Sequence, residues 1–345
     1  MAARESPTIT GLDLDTVAPW LAGQIDLRLP LDVSRLAGGR SNLTYLLTDD
    51  TGRRTVLRRP PLGDLPATAH DVLREARLLE AVAGRVPVPA VLATCPDPAV
   101  TGAPFFVMEH LDGTVVRDPE GALSLDPQVR AAVGPSLVDA LVALHEVDPN
   151  RLGLGDLAKR RDYAERQLRR WHRNWESTRT RDLPDLARTH AWLVEHCPEQ
   201  SRSSIVHGDF RVDNCILGAD GAVLGLLDWE LTTVGDPLAD LGQLLVYWAE
   251  PDDEFTALNS PPTRVPGFAS RDELRDRYLA ASGADPAEVA YYVVFNWWKT
   301  ACIVEDVHTR MLRGAMGASD RTPESFGVQA QGLAARAWQE THALA

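Results

Sequence analysis

The stretch from Ser204 to Leu241, SIVHGDFRVDNCILGADGAVLGLLDWELTTVGDPLADL, sets acidic and amide side chains against apolar runs that would otherwise read as core. Asp209 and Asn214 stand five apart on a short polar loop, and Asp228 follows the apolar pair Leu226-Leu227. A carboxylate beside an apolar strand is costly unless something binds it. A divalent cation carrying a phosphate is the natural partner. Phosphoryl transfer asks a protein to hold phosphates, place a metal and aim an acceptor hydroxyl. Asp209 can accept that hydroxyl's proton, Asn214 can offer Mg²⁺ a neutral oxygen, and Asp228 can supply an anionic ligand. Cys215–Leu217 and Ala222–Leu227 read as a hairpin turning at Gly218–Gly221, which would let Asn214 and Asp228 share one metal.

A chain of 345 residues has room for two domains. With 44% apolar and 24% charged residues it reads as an ordinary soluble protein. Its first residues lack a signal peptide's apolar core. The longest apolar stretch, Tyr291–Val304, is too short to span a membrane and contains Asn296 and Lys299. Cys95, Cys197, Cys215 and Cys302 lie far apart, which suits a reducing cytoplasm and argues against a zinc site or disulfide framework. The net charge of −14 argues against nucleic acid or an anionic membrane as partner and agrees with a cationic substrate. There are only two lysines, Lys159 and Lys299, so a phosphate clamp in the first 158 residues must use arginine, histidine or backbone amides. The sequence does not specify an oligomeric state.

The chain opens with a short helical pattern (Leu14, Val17, Leu21), followed by strands at Val33–Leu36, Leu43–Thr48 and Arg54–Arg58. The last two are joined by Asp49-Asp50-Thr51-Gly52, a hairpin signal. The turn Gly38-Gly39-Arg40-Ser41-Asn42 can be a plain hairpin or can turn several N–H groups toward an anion. A helix follows over Ala67–Ala83, with Glu75 on or beside its apolar stripe. Glu75 needs a partner: Arg58, or else Arg74, Arg77 or solvent. Val88–Cys95 and Pro104–His110 read as strands, the second running through Met108, Glu109 and Leu111 into a glycine turn suited to hold an adenine. The pattern then turns helical: Pro127–Val147, Leu157–Thr178, Leu183–His196, Asp240–Ala249, Arg271–Ala281, Tyr291–Arg310 and Ser325–Ala345. Pro251–Phe268 reads as a mobile proline-rich loop. The plan is α+β, with a β-rich lobe over 1–111 and a mainly helical lobe over 112–345.

His207-Gly208-Asp209-(four residues)-Asn214, with Asp228-Trp229-Glu230 and Gly235-Asp236-Pro237-(two residues)-Asp240-Leu241, closely resembles the aminoglycoside phosphotransferase and choline kinase-like superfamily. The likeness covers roughly residues 30–310, and its motifs in order are highly specific. It implies the two-lobed fold of protein kinases, a nucleotide (ATP, with GTP as the alternative) and Mg²⁺. By the resemblance, Asp209 is the catalytic aspartate, and Asn214 and Asp228 hold the metal. Gly38, Gly39, Arg40, Ser41 and Asn42 form the nucleotide loop, and Met108, Glu109 and Leu111 the adenine hinge. Arg58 stands where the family has a phosphate-contacting lysine, with Arg59 as the alternative if the register slips by one. Glu75 is its partner. His207 orients the loop rather than donating a proton, and Asp240 braces it from below. Arginine keeps the charge at the lysine position, but its planar fork is not equivalent to an ammonium. Trp229-Glu230 replaces the Phe-Gly that follows this aspartate in protein kinases, which removes a glycine hinge and implies a site built in its active form.

For the acceptor, Tyr163, Arg166, Gln167, Arg169, Arg170, Trp171 and Trp175, with Phe295, Trp298 and Lys299, look most like the branch found fused to acyl-CoA dehydrogenases. That resemblance implies a hydroxyacyl-CoA-type substrate, its phosphates met by the arginines. The same basic face can also be a solvated surface, and Lys299 a lysine snorkelling from the core. The competing acceptor is an aminoglycoside or other cationic alcohol, lined by Glu305-Asp306 and Asp252, Asp253 and Glu254. A different class remains open, a catalytically weak nucleotide-binding regulator, favoured by Arg58 and disfavoured by intact Asp209, Asn214 and Asp228.

Overall fold

The computed structural model describes residues 10–36, 42–63, 71–150, 162–316 and 321–344. The chain divides into two compact units, Met1–Gly113 with Leu224–Glu230, and Thr114–Val223 with Leu231–Ala345.

The first unit is built on five antiparallel strands. Helix α1 (Leu14–Gln24) precedes β1 (Asp32–Arg35), β2 (Leu43–Thr48) and β3 (Arg54–Arg59), and helix α2 (Val72–Val82) precedes β4 (Val91–Cys95) and β5 (Phe105–Glu109). The strand order is β1-β2-β3-β5-β4. Side chains alternate between sheet faces with a period of two. Leu43, Tyr45, Leu47, Leu57, Phe105 and Val107 therefore share a core with Val17 and Leu21 of α1. Thr44 and Arg58, opposite each other in the β2–β3 register, fall on the other face. Asp13 and Asp71 cap α1 and α2 by accepting the N–H groups of Asp15 and Arg74, each at 3.0 Å. Segment 224–230 joins this unit by donating the Leu226 N–H to the Pro87 carbonyl at 2.8 Å. Gly225 lies beneath Leu111, whose Cδ1 would be 2.4 Å from any Cβ placed there, so no larger residue fits.

The second unit is mainly helical. It contains α3 (Pro119–Leu123), α4 (Pro127–Glu146), α5 (Tyr163–Thr178) and α6 (Pro184–Glu195), and then β6 (Ser204–Val206) and β7 (Cys215–Leu217); the next strand, β8 (Val223–Leu226), belongs to the first unit from Leu224 on. After β9 (Thr233–Gly235) come α7 (Leu238–Tyr247), α8 (Arg271–Ser282), α9 (Pro286–Leu312) and α10 (Pro323–His342). The turn after β7 closes through the Gly218 N–H on the Ala222 carbonyl at 2.8 Å. Helix α7 is apolar nearly all round and lies against α9. A Cβ at Gly242 would sit 2.6 Å from the Tyr292 carbonyl oxygen, so glycine sets that close approach. Asn296 on α9 donates to the Ala239 carbonyl of α7 at 3.0 Å.

The segment 251–268 was expected to be mobile, and the structure ties it down. Arg271 pairs with Glu250 at 3.1 Å and with Asp253. The Ala249 N–H reaches Thr263 Oγ1 at 2.8 Å, and Gln329 on α10 donates to the Ala257 carbonyl at 2.9 Å. Proline content marked the irregular backbone, but these distant partners are not visible in local sequence. Strand β9 was also missed, because its pairing with β6 spans about thirty residues.

Candidate active site

The loop carrying Asp209 leaves β6 at His207. Gly208 adopts φ +85°, and a Cβ there would lie 2.8 Å from the Leu231 carbonyl oxygen, so glycine is required on both counts. The fully buried carboxylate of Asp240 supports this turn. Its Oδ2 accepts the His207 N–H at 2.6 Å and its Oδ1 the Gly208 N–H at 2.9 Å. His145 Nε2 lies 3.3 Å from Oδ2, and His145 Nδ1 lies 2.7 Å from the Tyr278 hydroxyl. Burial works against the Asp240 anion, but the His145 bond, the nearby histidines and the loop N–H outweigh it and hold the carboxyl below its ordinary range. Burial pushes His145 down, toward the neutral imidazole. His207 accepts the Asp209 N–H on Nδ1 at 3.3 Å, so its ring shapes the loop.

The Asp209 side chain is fixed from several sides. Gln243 Nε2 on α7 donates to Oδ1 at 2.7 Å, and Asn214 Nδ2 donates to Oδ2 at 2.9 Å and to the Asp209 carbonyl at 2.8 Å. Arg211 Nε stands 3.3 Å from Oδ1 while its NH2 pairs with Asp213 at 3.1 Å, and its guanidinium lies 5.0 Å from the Tyr247 ring centroid. The amide of Asn214 is thus oriented with its Oδ1 turned away from Asp209. Lys299 on α9 donates to Gln243 Oε1 at 3.0 Å. Burial pushes the Lys299 ammonium below its ordinary value, while Asp209 and Asp240 pull it back up. Gln243 escaped the sequence reading. The available signal was its place three residues after Asp240, one helical turn along a buried face.

In the first unit Arg58 spans two carboxylates. Its Nε donates to Glu75 Oε2 and its NH2 to Asp228 Oδ1, each at 2.9 Å, and NH1 lies 3.4 Å from Thr44 Oγ1. Burial pushes the Glu75 carboxyl up, with Arg58 pulling it back. Arg59 points to the α1 face instead, where its guanidinium meets the carbonyls of Gly11 and Thr101. Strand alternation therefore separates the two arginines, and Arg58 is the one beside Glu75. Asp228 holds φ +66°, an uncommon conformation for a residue with a side chain, and its side chain remains 36% exposed. Gly38, Gly39, Arg40 and Ser41 lie outside the described residues. Asn42 is described and buried, and neither end of its amide has a partner among the described residues. Met108 is buried at the end of β5. The Glu109 N–H donates to the Ala90 carbonyl at 2.9 Å, and the Glu109 side chain accepts the Ala90 N–H at 2.9 Å. Leu111 packs on Gly225.

The residues singled out for an acceptor separate into two groups. On α5 the Arg166 NH1 is buried with no partner among the described residues, and the Arg170 guanidinium stands 5.3 Å from the Trp171 ring. Arg169 is already paired with Glu165 at 2.9 Å. Glu305 is a different case. It is buried and held by Arg181 through both carboxylate oxygens, at 3.0 Å and 2.6 Å, while Arg181 also donates to the Gly327 carbonyl at 2.6 Å. Arg181, between α5 and α6, thus joins Glu305 of α9 to Gly327 of α10, and both Glu305 oxygens accept from it.

Residues 32–292 match the model of a phosphotransferase enzyme family. The mouse acyl-CoA dehydrogenase family member 10 is 34% identical over 316 residues, which cover 90% of this chain and 29% of the mouse protein. The chain thus spans less than a third of that relative's length. Among solved structures, a candidate aminoglycoside phosphotransferase from Ralstonia eutropha JMP134 aligns with a TM-score of 0.79 at 29% identity, covering 95% of this chain and 98% of that one. A thermostable mutant of the aminoglycoside phosphotransferase APH(4)-Ia, solved with ADP and hygromycin B, aligns with a TM-score of 0.62 at 14% identity, covering 94% and 98%. At that identity the likeness is one of fold.

Proposed function

Because the chain belongs to the phosphotransferase enzyme family, and is on that footing a small-molecule kinase, we propose that it moves the γ-phosphoryl group of ATP, with Mg²⁺, to a hydroxyl of an anionic small molecule of the hydroxyacyl-CoA type. The observation that carries this reading is the Asp209 carboxylate, fixed by Gln243 and Asn214 on a loop braced by Asp240. A carboxylate so held can accept the proton of an acceptor hydroxyl and aim its lone pair along the line of displacement.

Taken singly, each proposed ligand has an oxygen to offer a hard cation. Asn214 commits its Nδ2 to Asp209, which turns its oxygen away from that bond, and Asp228 gives Oδ1 to Arg58. Oxygen donors of this kind suit Mg²⁺, which would neutralise phosphate charge when bound. Arg58, fixed by Glu75, presents a cation for the phosphates in place of lysine. Gly38, Gly39, Arg40, Ser41 and Asn42 would cradle the phosphates, with Met108, Glu109 and Leu111 along the base.

An anionic acceptor is favoured over a cationic one by the charges near Asp209. Arg170 and Arg211 are cations in electrostatic reach of Lys299, and Arg166 NH1 on α5 has no partner among the described residues. Of the acids that could meet an aminoglycoside, Glu305 is held by Arg181 and Asp253 by Arg271. The sequence relation to an acyl-CoA dehydrogenase family member agrees.

A nucleotide-consumption screen tests this, with ATP and GTP each offered beside hydroxyacyl-CoAs, aminoglycosides and choline-like alcohols. Phosphorylated hydroxyacyl-CoA is the expected product. Transfer to an aminoglycoside alone would overturn the acceptor class. Mg·ATP binding without turnover on any acceptor would make the chain a nucleotide-binding regulator.

A further inference from the structure

Lys299 and Gln243 lie outside the motif that marks the site, and both converge on Asp209. Gln243 is buried on α7, and Lys299 is half-buried on α9. The Lys299 ammonium donates to Gln243 Oε1 at 3.0 Å, and Gln243 Nε2 donates to Asp209 Oδ1 at 2.7 Å. An ammonium has three donors and no lone pair. Only the carbonyl end of the Gln243 amide can therefore face it, and the amino end must face Asp209. A neutral, non-donating residue at 299 would leave the Gln243 amide held at its Asp209 end alone and free to swing with that carboxylate. Asn214 meanwhile holds Oδ2.

Building on the assignment of Asp209 made above, we infer that Lys299 is a positioning residue: through Gln243 it fixes the rotation of the Asp209 carboxylate. The other charged and titratable groups around the pair are His207, Arg211 and Asp213 from the loop, Asp240 and Tyr247 from α7, and Arg170 from α5. Arg211 remains beside Asp209 when Lys299 is neutralised, so the effect is graded.

The test combines a kinetic and a spectroscopic measurement. ATP hydrolysis with water as acceptor is followed by phosphate release. Lys299→Met is expected to lower kcat by about tenfold or more while the KM for ATP changes less than about twofold, and Lys299→Arg is expected to recover much of the loss and to show that position 299 tolerates substitution. In a Gln243→Met background, Lys299→Met should add almost nothing, since its route to Asp209 is already cut. Independently of turnover, the Gln243 side-chain amide pair in a ¹H–¹⁵N spectrum, assigned with Gln243→Met, should move in Lys299→Met and return most of the way to its wild-type position in Lys299→Arg. Unmoved Gln243 amide resonances, or full additivity of the two substitutions, overturn the inference. Moved resonances in a protein that hydrolyses and transfers no phosphate support the Lys299–Gln243 link and overturn the phosphotransfer reading instead.

Discussion

The carboxylate of Asp240 accepts the backbone N–H of His207 at 2.6 Å, so a side chain on α7 holds the first peptide of the loop that presents Asp209. A second N–H, from Gly208, ends on the same carboxylate at 2.9 Å. Removing it leaves two buried donors without an acceptor, each worth about 1–3 kcal/mol. Asp240→Ala should therefore destabilise the protein by about 3 kcal/mol or more by urea denaturation. Asp240→Asn retains one acceptor oxygen and should fall between. Equal stability of the alanine variant and the wild type would show that the carboxylate is not the brace.

Arg58 and Glu75 form a buried ion pair at 2.9 Å, with side-chain exposures of 11% and 4%. Arg58→Met strands the Glu75 carboxyl and should cost about 3 kcal/mol. Changing both residues to Met should restore part of that loss, since an apolar pair of similar volume needs no counter-charge. A double variant less stable than Arg58→Met alone, measured by chemical denaturation, would contradict this.

The acids proposed for catalysis and for the metal should separate experimentally. Asp209→Ala is expected to lower turnover by about a hundredfold to ten-thousandfold while nucleotide affinity stays near the wild-type value. Asp228→Ala should lose the Mg²⁺-dependent part of ATP binding, read by calorimetry with and without the metal. Wild-type turnover in Asp209→Ala would remove that residue from the mechanism.

The rings of His172 and His190 stack 3.9 Å apart at 7°, and Trp298 lies 5.4 Å from His190. Burial and the neighbouring His172 push His190 down to about 4. An unfolded imidazole titrates near about 6.5. Between those values the unfolded chain binds more protons, so the stability from a neutral His190 is full above about pH 6.5 and is lost as pH falls toward 4. The stability gap between wild type and His190→Phe should narrow as pH falls from 7 to about 4.5. A gap that stays constant across that range would rule out this linkage.

Much of the site was legible because its residues are local in sequence. The spacing of His207, Asp209 and Asn214 fixes a loop, and the apolar pair before Asp228 marks a buried strand end. The bounds of β2 and β7 match the reading residue for residue, since alternation and flanking turn residues define them. Contacts between distant segments were not legible. Gln243 looks like any polar residue in an apolar helix until α7 is laid beside the loop. Glu305 reads as an acid for a cationic ligand until Arg181, 124 residues away, is seen to occupy it. The Arg58–Arg59 ambiguity needed one fact, the register of β2 against β3.

One turn of α7 carries both Asp240 and Gln243, and that helix is pressed on α9 at Gly242 too closely to slide. A mutational library aimed at new acceptors should therefore leave α7 and the inward face of α9 unchanged. Diversity belongs on the exposed arginines of α5, the face proposed to meet the acceptor, where a change of charge leaves the packing of α7 on α9 untouched.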